Sequence, residues 1–180
     1  MGCSITAFKA PTKEELNHDF LWRIHQHAPE KGMIKIFNRS HYEDILVPTV
    51  EDLFSKEEIE KRYEHINNFE ELLTDSGVKI IKCYLHISRE EQKERLQERL
   101  ELPHKFWKHN DHDWESREKW DDYMNVYEDI FKKCDTVPRH IISADQDRWK
   151  VHQIATLLLE TFESMDLSWP GLDTEMFVVE

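Results

Sequence analysis

Glycine is scarce in this chain: only Gly2, Gly32, Gly77 and Gly171 occur in 180 residues. None falls in a GxGxxG or GxxxxGK[ST] spacing, so neither a dinucleotide-binding turn nor a phosphate-cradling loop can be read from it. Cysteine is scarcer. Cys3, Cys83 and Cys134 are odd in number and far apart, with no CxxC. That excludes a disulfide framework and leads to the expectation of a reduced, cytoplasmic protein. No apolar run approaches the roughly 18 residues a spanning helix needs, and no secretory signal is visible. Positive charge is in deficit, with 24 Lys and Arg against 37 Asp and Glu. Such a chain lacks the footprint of a nonspecific nucleic-acid binder; a local basic groove for a small polyanion stays open. There is no Gly-x-Ser-x-Gly elbow.

What is present can build a core. Nine Phe, six Trp and five Tyr offset the polar composition, and the length fits one domain. The amino-terminal Met-Gly-Cys-Ser-Ile-Thr fits a myristoylation pattern, with Cys3 open to palmitoylation. The same residues read as an ordinary strand over Cys3–Phe8, the reading preferred here.

Thr12 and Glu15 make a capping box that starts a helix, with Leu16, Phe20, Leu21 and Ile24 as its apolar stripe. Met33–Phe37 reads as a buried strand. Pro48 interrupts the segment after it. Ser55 caps a helix over Lys56–Asp75, with Ile59, Tyr63, Ile66, Phe69 and Leu73 inward. Val78–Ile87 is the strongest strand signal. Helices are expected over Arg89–Glu101, Glu115–Cys134 and Asp147–Met165, the last with Ile154, Leu157, Leu158 and Phe162 on one face. Arg139–Ser143 is a last strand, and the stretch from Asp166 to Glu180 a loose end. Strands alternating with helices imply an α/β fold, a parallel sheet covered on both faces.

Chemistry concentrates at the end of the second strand. Asn38, Arg39, Ser40, His41, Glu43 and Asp44 follow directly on the apolar run. In open parallel sheets ligands bind outside the carboxyl ends of the strands, so this tip suits a phosphate site. On spacing alone the plainer reading, a polar connection with Ser40 as helix cap, is preferred. Lys and Arg gather at Lys9, at Arg39, and along the run with Lys93, Arg95, Arg99, Lys105, Lys108, Arg117 and Lys119. Arg95 and Arg99 share a helix face. They can grip phosphates bidentately or pair with Glu91, Glu94, Glu98 or Glu101. His109 and His112 flank Asn110 and Asp111, but no second ligand cluster has metal-site spacing, so no structural metal is expected.

Several stretches, in the right order from Ile5 to Met165, resemble the type-2 polyphosphate kinases. They are Phe8-Lys9-Ala10-Pro11-Thr12, His18-Asp19-Phe20-Leu21-Trp22-Arg23, Ile36-Phe37-Asn38-Arg39-Ser40-His41-Tyr42-Glu43-Asp44, and Arg62-Tyr63 with Ile66-Asn67-Asn68-Phe69-Glu70. Leu85-His86-Ile87-Ser88, Glu91-Gln92, Arg95-Leu96, Arg99-Leu100, Lys105-x-Trp107-Lys108, Trp120-Asp121-Asp122-Tyr123 and Tyr127-Glu128-Asp129 join them. Asn-Arg-Ser-His-Tyr-Glu resembles the branch acting on nucleoside monophosphates as well as diphosphates.

The resemblance implies a P-loop kinase fold similar to thymidylate kinase. It implies phosphoryl transfer between inorganic polyphosphate and a nucleotide with Mg²⁺, in a homo-oligomer; the charge balance and the lack of a long apolar run lead to the expectation of no nucleic-acid or membrane partner. Asn38 and Arg39 would lie at the Walker B position. Arg39, Glu43 and Asp44 would be catalytic, Arg39 on phosphate and the two carboxylates near nucleotide or metal. Lys9, Asn38, Arg95, Arg99, Lys105, Lys108 and Arg117 would bind substrate, the last five from a lid over about 95–119. The family domain would cover 1–166, with a tail over 167–180.

One departure is large. In the family a strand, a glycine-rich loop with its Lys, and a first helix precede the Lys9–Thr12 motif; here the chain starts at what would be the second strand. The missing strand would be central, between those at Met33 and Val78, and its loss leaves two edges unpaired. Impaired activity is therefore expected of this chain alone, as a truncated enzyme. A non-catalytic polyphosphate- or nucleotide-binding pseudo-enzyme and one half of a split kinase are the alternatives.

Overall fold

The computed structural model describes residues 2–168. The described residues form two compact units, 2–82 with 89–140 and 83–88 with 141–168.

In the first unit β1 (Cys3–Ala7) and β2 (Ile34–Asn38) run parallel, Cys3 beside Ile34, Ile5 beside Ile36 and Ala7 beside Asn38. Residues in register share a face. Phe37 lies on the packed face, where its ring meets Phe8 edge-on at 5.0 Å in a cluster with Ile24 and Phe69. Ile5, Ile34 and Ile36 lie together on the other face and are exposed. Among the described residues the second edge of β2 has no partner.

The expected first helix breaks up. Thr12 and Glu15 do form their reciprocal box, at 2.6 and 3.2 Å, but it opens only a 3₁₀ turn over Glu15–Asn17. His18 is extended, and Asp19 Oδ1 accepts the Leu21 N–H at 3.0 Å. That local side-chain bond restarts the chain as a short α1 (Trp22–His25) and leaves Leu16 exposed rather than inward.

Pro48 does not interrupt the next segment, for α2 runs through it (Glu43–Val50). A proline lacks the N–H that would bond the carbonyl four residues back, here that of Asp44. Arg62 Nη1 donates to that carbonyl instead, at 2.5 Å, while its guanidinium lies over Phe54 at 4.2 Å and Phe20 at 4.9 Å.

Helix α3 (Lys56–Asp75) matches the expected bounds, with Ser55 and Glu58 in a capping box. It closes on Gly77, φ +88°, with the Val78 N–H on the Leu73 carbonyl at 3.0 Å. Val78 thus belongs to the cap, which is one reason β3 (Lys82–His86) starts later than Val78. Next come α4 (Arg89–Glu101), a 3₁₀ turn over Pro103–Lys108, α5 (His112–Glu118) and α6 (Trp120–Lys133). The single helix expected over Glu115–Cys134 is split at Lys119, whose ammonium pairs with Glu51 at the end of α2. Ile45 and Leu46 of α2, Ile59, Tyr63 and Ile66 of α3, Val126 and Ile130 of α6, and Cys134 form the main core.

In the second unit β3 pairs with β4 (Arg139–Ser143), and the Ala144 N–H reaches the His86 carbonyl at 2.8 Å. Asp145 accepts the Ser88 N–H at 2.7 Å. Helix α7 (Asp147–Ser164) half-buries the expected row Ile154, Leu157, Leu158 and Phe162. No helix among the described residues is long and apolar enough to cross a membrane. The expected tail lies almost wholly outside the described residues.

Candidate active site

The strand β2 ends at Asn38, and the chain then turns sharply. Arg39 adopts φ +63°, a left-handed conformation that favours glycine and tolerates asparagine or aspartate but is uncommon for arginine. Non-glycine residues held there cluster at functional sites. The Arg39 side chain is exposed and has no hydrogen bond or ion pair among the described residues. Its charge nonetheless acts on Glu43.

The neighbouring strand ends in the same place. Ala7 lies beside Asn38, and the Phe8 N–H donates to the Asn38 carbonyl at 3.0 Å. Lys9 follows at once, exposed and likewise without an ion-pair partner among the described residues. Two unengaged cations thus sit just past the carboxyl ends of adjacent parallel strands, where open α/β sheets bind ligands.

Ser40 is not the helix cap; its Oγ accepts the Tyr42 N–H at 3.4 Å, and Tyr42 precedes α2. Glu43 and Asp44 occupy the first turn of α2, where the helix dipole favours anions. They differ in engagement. Burial pushes the Glu43 carboxyl up, against the pull of Arg39, and among the described residues no side chain bonds it. Asp44 is 8% exposed and its Oδ2 accepts Arg23 Nη2 at 3.0 Å. Burial also pushes the Asp44 carboxyl up, opposed by Arg23 and Arg62. Arg23 is itself 6% exposed and donates Nη1 to the Lys9 carbonyl at 2.9 Å. One guanidinium thereby ties the end of β1 to the start of α2.

Behind this turn lies a polar cluster. Glu70 of α3 is fully buried and is bonded by His41, Tyr42 and Lys82.

The family profile of polyphosphate kinase 2 matches residues 1–169. The chain belongs to the polyphosphate kinase 2 family. By family it is a kinase. It is 42% identical over 183 residues to the AMP/ADP-polyphosphate phosphotransferase of Meiothermus ruber, covering 99% of this chain and 68% of that one. It is 37% identical to the ADP-polyphosphate phosphotransferase of Rhodopseudomonas palustris, covering 94% of this chain and 63% of that one. The crystal structure of polyphosphate kinase 2 from Arthrobacter aurescens TC1 superposes with a TM-score of 0.91 at 43% identity, over 97% of this chain and 62% of that one. The α/β fold with parallel strands is thus that of the family, and the chain spans about two thirds of the length of these relatives.

In this member of the polyphosphate kinase 2 family most of the expected lid cations are engaged within the chain. Arg95 Nε bonds Glu91 at 2.6 Å, Arg99 bonds Asp113 at 2.5 Å, and Lys105 bonds Glu98 at 2.5 Å. Arg117 donates to the Arg89 carbonyl and to Gln92 at 2.7 and 2.8 Å. Lys108 lies over the exposed Trp107 ring at 5.1 Å.

The sequence reading missed Arg23, Arg62, Glu70 and Lys82 as charged anchors. One signal was available. Glu70 continues the inward row of α3 at Ile59, Tyr63, Ile66 and Leu73, and a carboxylate on such a row marks a buried, partnered charge.

Proposed function

We propose that this chain carries the strand end and lid of an enzyme that moves a phosphoryl group between inorganic polyphosphate and a nucleoside mono- or diphosphate. The observation that supports this most is Arg39, an exposed, unengaged guanidinium in a strained turn at the end of β2. Phosphoryl transfer needs positioning and charge neutralisation more than a covalent nucleophile. A guanidinium fork meets two phosphate oxygens at once. Lys9 and Asn38 extend the same anion-facing edge, and the Meiothermus relative is named for both AMP and ADP.

Among the described residues no group of three or more His, Cys, Asp or Glu side chains gathers around a metal position. Mg²⁺ needs less, because one or two carboxylates and the substrate phosphates hold it. Glu43, which no side chain among the described residues bonds, is the residue that would hold the ion, which would neutralise charge on the phosphates. Asp44 serves in this reading as the anchor of α2 on Arg23.

The lid cations reach phosphate by exchange. Arg99–Asp113 and Lys105–Glu98 are partly exposed pairs, of a kind that contributes about 0–1 kcal/mol. A polyanion can displace such carboxylates. Asp113→Asn therefore releases Arg99 and is expected to tighten polyphosphate binding about two- to fivefold, most strongly at low salt. Calorimetric titration showing unchanged or weaker binding argues against Arg99 at the phosphate chain.

No phosphate-cradling glycine loop occurs in the 180 residues, so transfer by these residues alone is expected to be weak or nil. The open edge of β2, flanked by exposed Ile5, Ile34 and Ile36, suits a further strand bearing that loop. The test incubates the purified chain with polyphosphate and AMP or ADP, with and without the phosphate-loop segment of the Meiothermus ruber relative, and measures nucleotide products. Phosphorylation only with the segment is expected. Full-rate transfer by the chain alone overturns the impairment. Polyphosphate binding without transfer in both arms selects the pseudo-enzyme.

A further inference from the structure

Glu70 has no solvent exposure, yet it occupies a position where leucine would pack. Buried paired charges seldom add net stability over an apolar residue of similar size. Packing therefore does not explain the carboxylate, and its partners do. Oε1 accepts Tyr42 Oη at 2.5 Å and lies 3.3 Å from His41 Nε2. Oε2 accepts Lys82 Nζ at 2.8 Å. Lys82 also reaches Tyr42 Oη at 3.0 Å and the Cys134 carbonyl at 3.3 Å. Burial pushes the Glu70 carboxyl up, but the His41, Lys82 and Tyr42 bonds outweigh it and hold it below the ordinary range.

Two of the three donors are consecutive residues, two and three places after Arg39. On the other side of Arg39, Asn38 is pinned by pairing with Ala7 and by the Phe8 N–H. Only Ser40 separates the strained residue from the Glu70 contacts. Arg39 is thus held between two fixed points with too little chain to relax, the condition under which a strained backbone persists. His41 Nδ1, buried without a partner among the described residues, is a further sign that its ring is placed for geometry; buried polar groups normally find partners.

We propose that Glu70 is the positioning residue of the phosphate-facing turn: by holding His41 and Tyr42 from α3, it keeps Arg39 left-handed and its guanidinium presented to phosphate. This rests on the reading of Arg39 as a phosphate ligand. Glu70 touches no substrate. It replaces the glycine that such a turn otherwise favours with a side-chain clamp that lets arginine occupy the position.

The test uses the full 180-residue chain with Glu70→Gln, Tyr42→Phe, Arg39→Ala and the Glu70→Gln/Arg39→Ala double variant. Circular dichroism checks the fold, backbone NMR shifts and couplings report the Arg39 conformation, and calorimetry measures polyphosphate affinity. Glu70→Gln is expected to stay folded and lose the left-handed signature. It should weaken polyphosphate binding by about tenfold, as Arg39→Ala does, and the double variant should be no weaker than either single one. Retention of the signature in folded Glu70→Gln overturns the proposal, as does a double variant whose loss is the product of the single losses. If Glu70→Gln unfolds, Tyr42→Phe decides by the same signature and affinity. If the signature is lost while Arg39→Ala binds polyphosphate like the parent, the positioning role stands and the phosphate reading of Arg39 falls.

Discussion

Arg39→Gly is expected to make the protein no less stable while removing about 10²–10³-fold of its polyphosphate-dependent transfer, measured with the phosphate-loop segment supplied. The two effects have different origins. Arg39 sits at φ +63°, where an L-residue is disfavoured by roughly 1–2 kcal/mol and glycine is not. Glycine also gives the unfolded chain more freedom, which takes back part of that gain. The balance is a melting free energy unchanged or raised by up to about 1 kcal/mol. Transfer falls because the guanidinium that neutralises developing charge is gone. Arg39→Ala separates the terms: it loses the guanidinium but keeps the strain, so its transfer falls as far and its stability does not rise. Arg39→Lys keeps the charge without the bidentate fork and should fall between parent and alanine. Transfer by Arg39→Ala within twofold of the parent would remove Arg39 from the chemistry.

The sequence made the fold class and most elements legible because their signals are local. Helix α3 is bounded by a capping box and a glycine, and α4 covers the expected Arg89–Glu101, between Ser88 before it and Pro103 after it. The failures are places where a distant side chain overrides a local rule. Pro48 reads as a breaker until Arg62, eighteen residues on in sequence from Asp44, takes the carbonyl that the proline leaves bare. Lys119 sits in a helical pattern, yet its pairing with Glu51 accompanies a break there. At the site, charge and position were legible; engagement was not. No spacing rule says that Arg39 stays open while Arg99 turns to Asp113, or that Asp44 faces Arg23 while Glu43 has no partner among the described residues. Those choices depend on tertiary neighbours and on what burial does to each charge.

Asp44→Ala tests that distinction most directly. Its carboxylate and the Arg23 guanidinium are both nearly excluded from solvent, with side chains 11% and 7% exposed. Burial raises the Asp44 carboxyl despite Arg23, so the ionised pair adds little net stability. Separating its halves is another matter, since removing the carboxylate strands a buried guanidinium. That loss is about 3–5 kcal/mol for a buried pair. Asp44→Asn keeps an acceptor for Arg23 and should lose less. Acid acts differently again. A carboxyl whose folded value is raised does not withdraw stability as pH falls through it. Glu70 has the opposite sign: held below the ordinary range, its contribution is complete above the unfolded glutamate value and disappears as pH falls through the lower folded one. Acid unfolding should therefore track Glu70 rather than Asp44, and Glu70→Gln should flatten the acid limb of a stability-against-pH curve while Asp44→Asn leaves it. If Asp44 were an open catalytic carboxylate, both of its variants would melt like the parent and fail only in transfer. Chemical denaturation of the two variants beside a transfer assay separates these cases, and a parent-like midpoint for Asp44→Ala would sink the anchor assignment.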